Sequence, residues 1–174
     1  MPANLPAVVV PSLSPRIGFM LAGVLLLAVF ALSLPDDFLW QRVIEDAGHG
    51  PVFAALAVVL LWLSPPAPGE SMRGLGQYLR VFGLAFGLGV VTELLQWFLP
   101  QRNVSARDVL HDSAGAALGL AVFWLVERRL ARKAGVADGG DHQAVAVAVA
   151  LCGFVLLAWE PLQCARAYAD RARA

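Results

Sequence analysis

Between Thr92 and Gly119 the chain places Glu93, Gln96, Asp108, His111 and Asp112, with long apolar runs on both sides. Two or three carboxylates with an imidazole can exchange protons, hold a cation, or hydrogen-bond a polar headgroup. Their spacing is ordered. Asp108, His111, Asp112, Gly115 and Gly119 recur at i, i+3, i+4, i+7 and i+11, a single stripe of a helix. Gly89, Glu93 and Gln96 form a matching stripe on the helix before it. A charge at the centre of a membrane span costs about 2.5–3.5 kcal/mol on insertion scales, so neither stripe faces lipid. The two stripes are expected to face each other or a shared cavity.

Pro100 stops the first of these helices, and Ser105 opens the second as an N-cap, with Asp108 three residues on in a capping box. That role alone accounts for Asp108 without any chemistry. A turn centred near residues 102–103 puts Glu93 level with Asp112 and Gln96 level with Val109, the acids lying ~9 Å inside the helix ends. Two such carboxylates need a shared proton, a cation, or neutralisation by Arg102, Arg107 or His111. Upstream, D-A-G-H-G-P (Asp46 to Pro51) sets Pro51 in the first turn of a helix and His49 at its mouth, on the same membrane face. The candidate binding site is therefore His49, Glu93, Gln96, Arg102, Asp108, His111 and Asp112. Glu93, His111 and Asp112 are the candidate catalytic groups. No metal site is assigned, since D-x-x-H-D is a weak ligand spacing, and the residues leave the cofactor question open.

The elements that carry these residues are membrane helices. The chain has 174 residues, 59% of them hydrophobic and 15% charged, against roughly 25% charged in soluble domains; mean hydropathy is +0.67. Net charge is zero and Lys133 is the single lysine, which argues against a nucleic-acid partner. Cys152 and Cys164 stand roughly 18 Å apart on a continuous helix, too far for a disulfide. Apolar runs over Ile17–Leu34, Pro51–Leu63, Tyr78–Leu99, Ala106–Val126 and Gln143–Trp159 approach the ~20 residues of a span, the second being the shortest. The expected fold is an all-α, polytopic membrane helix bundle of four core transmembrane helices and one C-terminal transmembrane helix. Leu39 to Ala47 reads as a separate amphipathic interfacial helix, and Ser64 to Gly76 as a plain connector.

The division that follows is an N-terminal tail (1–16), a core domain (17–130), a polar linker (131–142), an extra helix (143–160) and a C-terminal tail (161–174). Gly83/Gly87 and Gly115/Gly119 are G-x-x-x-G pairs that permit close helix approach. The basic cluster Arg128, Arg129, Arg132 and Lys133 flanks a span and is assigned to the cytoplasm with the N-terminus, which turns the 92–119 hairpin outward.

These residues resemble the VanZ-like membrane proteins, whose pattern runs E-x-x-Q, P-x-R, S-x-x-D and N-x-x-G-x-x-x-G. Here it is Glu93, Gln96, Pro100, Arg102, Ser105, Asp108, Gly115 and Gly119, with Asp112 at the usual asparagine. An earlier D-K-x-x-H-x-x-x-Y element is matched by His49, with Glu45, Asp46 and Phe53 at the other positions. The resemblance covers roughly residues 17–130. It implies a bacterial inner-membrane protein, from a family whose founding member is linked to low-level teicoplanin resistance, without implying a biochemical activity.

Two function classes stand out. A binding protein would hold a membrane lipid or a lipid-linked envelope precursor through Arg102 and His49. A membrane-embedded hydrolase or transferase would use Glu93 or Asp112 as general base with His111 or His49, or hold a divalent cation on these groups, at a lipid-linked phosphate headgroup, although no G-x-S-x-G or H-E-x-x-H motif is present. A proton or ion path is disfavoured, because the inner halves of the helices read as apolar. The binding protein is the preferred reading.

Overall fold

The structure, a computed structural model, describes residues 14–31, 39–66, 70, 72–98, 105–135 and 143–173. Among these there are five helices: α1 (Pro15–Ala31), α2 (Leu39–Leu63), α3 (Leu75–Gln96), α4 (Ala106–Lys133) and α5 (Gln143–Arg173). The fold is all-α, as expected. α4 is the centre: α2, α3 and α5 all pack along it, and α1 packs on α2.

Small residues explain that centrality. A Cβ at Gly119 would lie 2.6 Å from the Ala54 carbonyl oxygen, and Gly115 is pressed against the Gly50 carbonyl, so α2 and α4 meet backbone to backbone. Gly153 of α5 approaches the Ala114 carbonyl of α4 in the same manner, at 3.0 Å. The other expected pair, Gly83 and Gly87, has no atom within 4 Å of where a Cβ would stand. Only one of the two G-x-x-x-G motifs is a packing seam within the described chain. The core is filled by Ala57, Leu61, Val81, Ala85, Ala116, Leu120 and Trp124, with Phe53 and Leu56 joining α2 to α1.

Outside, Phe19, Met20, Leu79, Leu84, Phe154 and Phe98 are exposed, a surface that suits lipid and would aggregate in water. α3 and α4 are long and apolar enough to cross a membrane, and α5 makes a third if its two limbs, bent by 42° between Trp159 and Pro161, count as one span. Pro15–Ala28 and Gly48–Leu63 are shorter apolar helices.

Three expectations change. The interfacial helix is not separate: α2 runs unbroken from Leu39 to Leu63, so Pro51 lies inside it instead of in its first turn. A proline within a helix costs about 3 kcal/mol in isolation, and here the packing of α4 on Gly50 and Ala54 offsets it. Likewise α5 continues through Pro161 to Arg173, over the segment read as a tail. At its end α4 extends into the expected linker, to Lys133, with Arg132 and Lys133 in the last turn where the helix dipole favours cations. Gly135, at φ 75°, then stops it by taking the left-handed conformation that side chains resist.

Candidate functional site

The hairpin end of the bundle is built from the mouth of α2, the end of α3 and the start of α4. Asp112 is 1% exposed, and its Oδ1 lies 3.2 Å from Nδ1 of His49, itself 6% exposed. That pair crosses the α2–α4 seam, where Gly115 lets the two backbones touch. Gly89 lies beneath Asp112, since a Cβ there would meet Asp112 Oδ2 at 3.1 Å.

Glu93 has a different partner from the one its spacing suggests. Its Oε2 accepts from the Ser105 backbone N–H at 2.9 Å. Ser105 in turn caps α4, its Oγ accepting from the Asp108 N–H at 3.3 Å. One half of the expected capping box is thus present. The N-cap N–H, which an N3 acid ordinarily takes, donates to Glu93 from the neighbouring helix. Glu93 therefore ties α3 to the first turn of α4.

This overturns the expected register. Gly89, not Glu93, stands opposite Asp112, so the hairpin midpoint falls near residues 100–101 and Glu93 lies about a turn closer to the membrane face than Asp112. The centre shifts because α3 ends at Gln96, with Trp97 as its cap, before Pro100 is reached. The stripes themselves are correct in phase: Gly89, Glu93 and Gln96 are buried on α3, as are His111, Asp112 and Gly115 on α4. They do not simply face one another, because much of the α4 stripe is turned to α2.

The acids and His49 lie within electrostatic reach of one another: Asp108, Glu93 and Asp112 all act on His49, and His111 acts on Asp112. Four polar side-chain atoms here are buried without a hydrogen-bond partner among the described residues, namely Glu93 Oε1, Gln96 Nε2, His111 Nδ1 and Asp112 Oδ2. Each such atom costs about 1–3 kcal/mol, so four in one region call for a group to satisfy them. Among the described residues no three His, Cys, Asp or Glu side chains converge as a metal-ion ligand set. Arg102 lies outside the described residues.

A second polar cluster, at the opposite end of the bundle, escaped the sequence reading. Arg73, 4% exposed, sits in the supposed connector and pairs through Nη1 with Glu127 Oε1 at 2.7 Å. Glu127 Oε2 accepts from the Tyr78 hydroxyl at 2.6 Å, and Arg73 Nε donates to the Ser64 carbonyl at 3.1 Å. Glu127 continues the buried phase of Ala116, Leu120 and Trp124, a face of α4 roughly 100° around from the Asp112 and Gly115 stripe, so extending that stripe does not reach it. Between the two clusters lie Ala85, Val81, Ala116 and Leu120, an apolar layer without a polar path through the described core.

Neither the curated proteins nor the solved structures provide a match to the chain. The sequence profile of the VanZ/LLP1 family matches residues 8–127, which takes in α1 to α3 and most of α4, with every described site residue. An all-helical bundle with apolar spans and a tied polar hairpin, matched over most of its length, makes this chain a member of the VanZ/LLP1 family.

Proposed function

We propose that this protein is a binding protein of the bacterial inner membrane, whose hairpin site holds the polar headgroup of a membrane lipid or of a lipid-linked envelope precursor. The observation that carries the reading is the set of four buried atoms on Glu93, Gln96, His111 and Asp112 that have no hydrogen-bond partner among the described residues. Two are carboxylate oxygens, one is an amide donor and one is an imidazole nitrogen that serves either way. Such a set suits a headgroup bearing amine, hydroxyl or amide donors. The anionic part of that headgroup is assigned to Arg102 by the motif alone. In this reading the five helices cross the membrane, with the basic residues after Glu127 in the cytoplasm and the hairpin facing the envelope. Altered teicoplanin susceptibility on loss of the protein would follow from sequestering a precursor.

Native mass spectrometry of the purified protein in a mild detergent tests it. The expected result is a retained lipid that is lost from Glu93→Gln, Asp112→Asn and Arg102→Ala. Equal lipid retention in all three variants would exclude this site as its seat.

A second reading, hydrolysis or transfer at a lipid-linked phosphate headgroup, draws on the His49–Asp112 pair. With Asp112 accepting from Nδ1–H, Nε2 of His49 is left basic and can take a proton from water. Phosphate released from a lipid-linked diphosphate, and lost in His49→Asn while lipid retention persists, would favour it over simple binding.

A further inference from the structure

α5 runs antiparallel to α4: Gln143 accepts from Arg132 Nη1 at 2.9 Å near the end of α4, and Gly153 approaches Ala114 near its start. The last limb of α5, from Pro161 to Arg173, therefore leaves the bundle at the hairpin end, set off by the 42° bend after Trp159. Every side chain described between residues 161 and 170 is exposed, so the bundle covers none of them.

This limb has two unlike sides. Read at about 3.6 residues per turn, Leu162, Ala165 and Ala169 share an apolar half, and Gln163, Arg166 and Asp170 share a polar half. The remaining charged positions, 171 and 173, fall in the polar half by sequence. The apolar side continues a surface already turned to lipid. Val147, Leu151 and Phe154 are exposed on the outer side of the spanning limb, and Ala158, Leu162, Ala165 and Ala169 carry the same stripe on at steps of three and four residues. A helix that keeps its hydrocarbon-facing side and turns polar on the other has left the hydrocarbon core and stayed at its edge.

Lengths agree with that placement. Residues 143 to 162 make about 20 residues, or ~30 Å of helix, which puts the hydrocarbon edge at Leu162. With α5 along the membrane normal, the 42° bend lifts the limb only ~1.1 Å per residue, so Ala165 and Ala167 stand about 4 and 7 Å above Pro161, within a headgroup layer of roughly 5–7 Å. We propose that this limb is an interfacial anchor, its Leu162 and Ala165 side set among phospholipid headgroups and its Arg166 side in water. Tethered to a span, it needs only a marginal affinity to stay down. The anchor holds α5 at the depth where Leu157 packs beside Gly50 and Gly153 beside Ala114, next to the seam that the His49–Asp112 pair spans. The inference rests on α5 crossing the membrane and is independent of what the hairpin site binds.

Single nitroxide labels test it on the full-length protein in a Cys152→Ser, Cys164→Ser background, at Leu151→Cys, Ala165→Cys or Ala167→Cys, in phosphatidylethanolamine and phosphatidylglycerol vesicles at high lipid-to-protein ratio. Relaxation by oxygen, which concentrates in the bilayer, is compared with relaxation by a water-soluble nickel chelate. The oxygen-to-nickel ratio is expected to be highest at Leu151 and severalfold higher at Ala165 than at Ala167. Those two alanines share a residue type and nearly a depth, so the face alone separates them. Adding Leu162→Glu, at an exposed position, brings the ratio at Ala165 down to that at Ala167. Equal ratios at Ala165 and Ala167 with Leu151 still protected overturn the anchor and leave the span standing, whereas a Leu151 label open to nickel overturns both. Protection of Ala165 from oxygen as well as nickel, lost on dilution with lipid, would assign the face to a second copy of this chain and also overturns the proposal.

Discussion

Replacing Gly115 by alanine puts a methyl group where α4 meets the α2 backbone. At the present spacing that Cβ would lie 2.7 Å from both Cα and C of Gly50, while ordinary contact begins at 3.4 Å. No side chain can swing aside, because the obstruction is main chain. The helices must part by at least that shortfall of ~0.7 Å, since the Gly50 carbonyl oxygen is nearer still, and the His49–Asp112 pair spans the same seam at 3.2 Å. Stretched to about 3.9 Å it ceases to be a hydrogen bond. Overpacking contributes roughly 1–3 kcal/mol, and breaking a buried ion pair about 3–5 kcal/mol if the pair is charged. The gain in helix propensity from glycine to alanine returns about 1 kcal/mol. The net destabilisation is about 3 kcal/mol or more, which for a chain of this size lowers Tm by roughly 6–12 °C. The internal control is Gly83→Ala with Gly87→Ala, where nothing lies within 4 Å and propensity alone acts, so Tm holds or rises. Thermal melting of both variants in one detergent, followed by tryptophan fluorescence, makes the comparison. A Gly115→Ala protein that melts with the wild type, or a Gly83/Gly87 variant that falls as far, would refute the assignment of the α2–α4 seam.

Glu93→Ala leaves the Ser105 N–H without its acceptor and should lower stability by about 1–3 kcal/mol, whereas Glu93→Gln keeps an amide oxygen there and should lose much less, as read from denaturation midpoints. Ser105→Ala removes the α4 cap, and a loss of about 1 kcal/mol is expected in the same assay. At the other end, Arg73→Ala strands the Glu127 carboxylate in the core and should cost about 3–5 kcal/mol. Tyr78→Phe deletes one of the two donors that Glu127 has among the described residues and should cost about 1–3 kcal/mol. If Tyr78→Phe proved as damaging as Arg73→Ala, the charge pair would not be the main tie of the α3–α4 base.

The helical stripes were legible because burial of a polar group in lipid leaves so few options. Glu93, Gln96, His111 and Asp112 could not face hydrocarbon, so their 3.6-residue phase alone predicted which faces of α3 and α4 turn inward, and all four are buried. The Ser105 cap was readable for a similar reason, since a helix start has unsatisfied N–H groups and few residues can serve them. The continuity of α2 through Pro51 was not, because local propensity argues for a break and the packing of α4 on Gly50 and Ala54 that outweighs it comes from a helix distant in sequence, whereas at the exposed Pro161 α5 does bend, by 42°. Arg73 carries no local mark at all: in a glycine- and proline-rich connector it looks solvated until Glu127, far along the chain, is brought beside it.

By itself the sequence determined the class of the protein, the polar faces of its hairpin and the family motif that spans it, since these depend on composition and on spacing within single helices. Tertiary structure decided the partners. Asp112 went to His49 because Gly115 lets α2 closer to α4 than any side chain would allow, and Glu93 was left to hold the Ser105 N–H. Helical phase says which way a side chain points, but the depth at which two helices cross is set by where their backbones can touch.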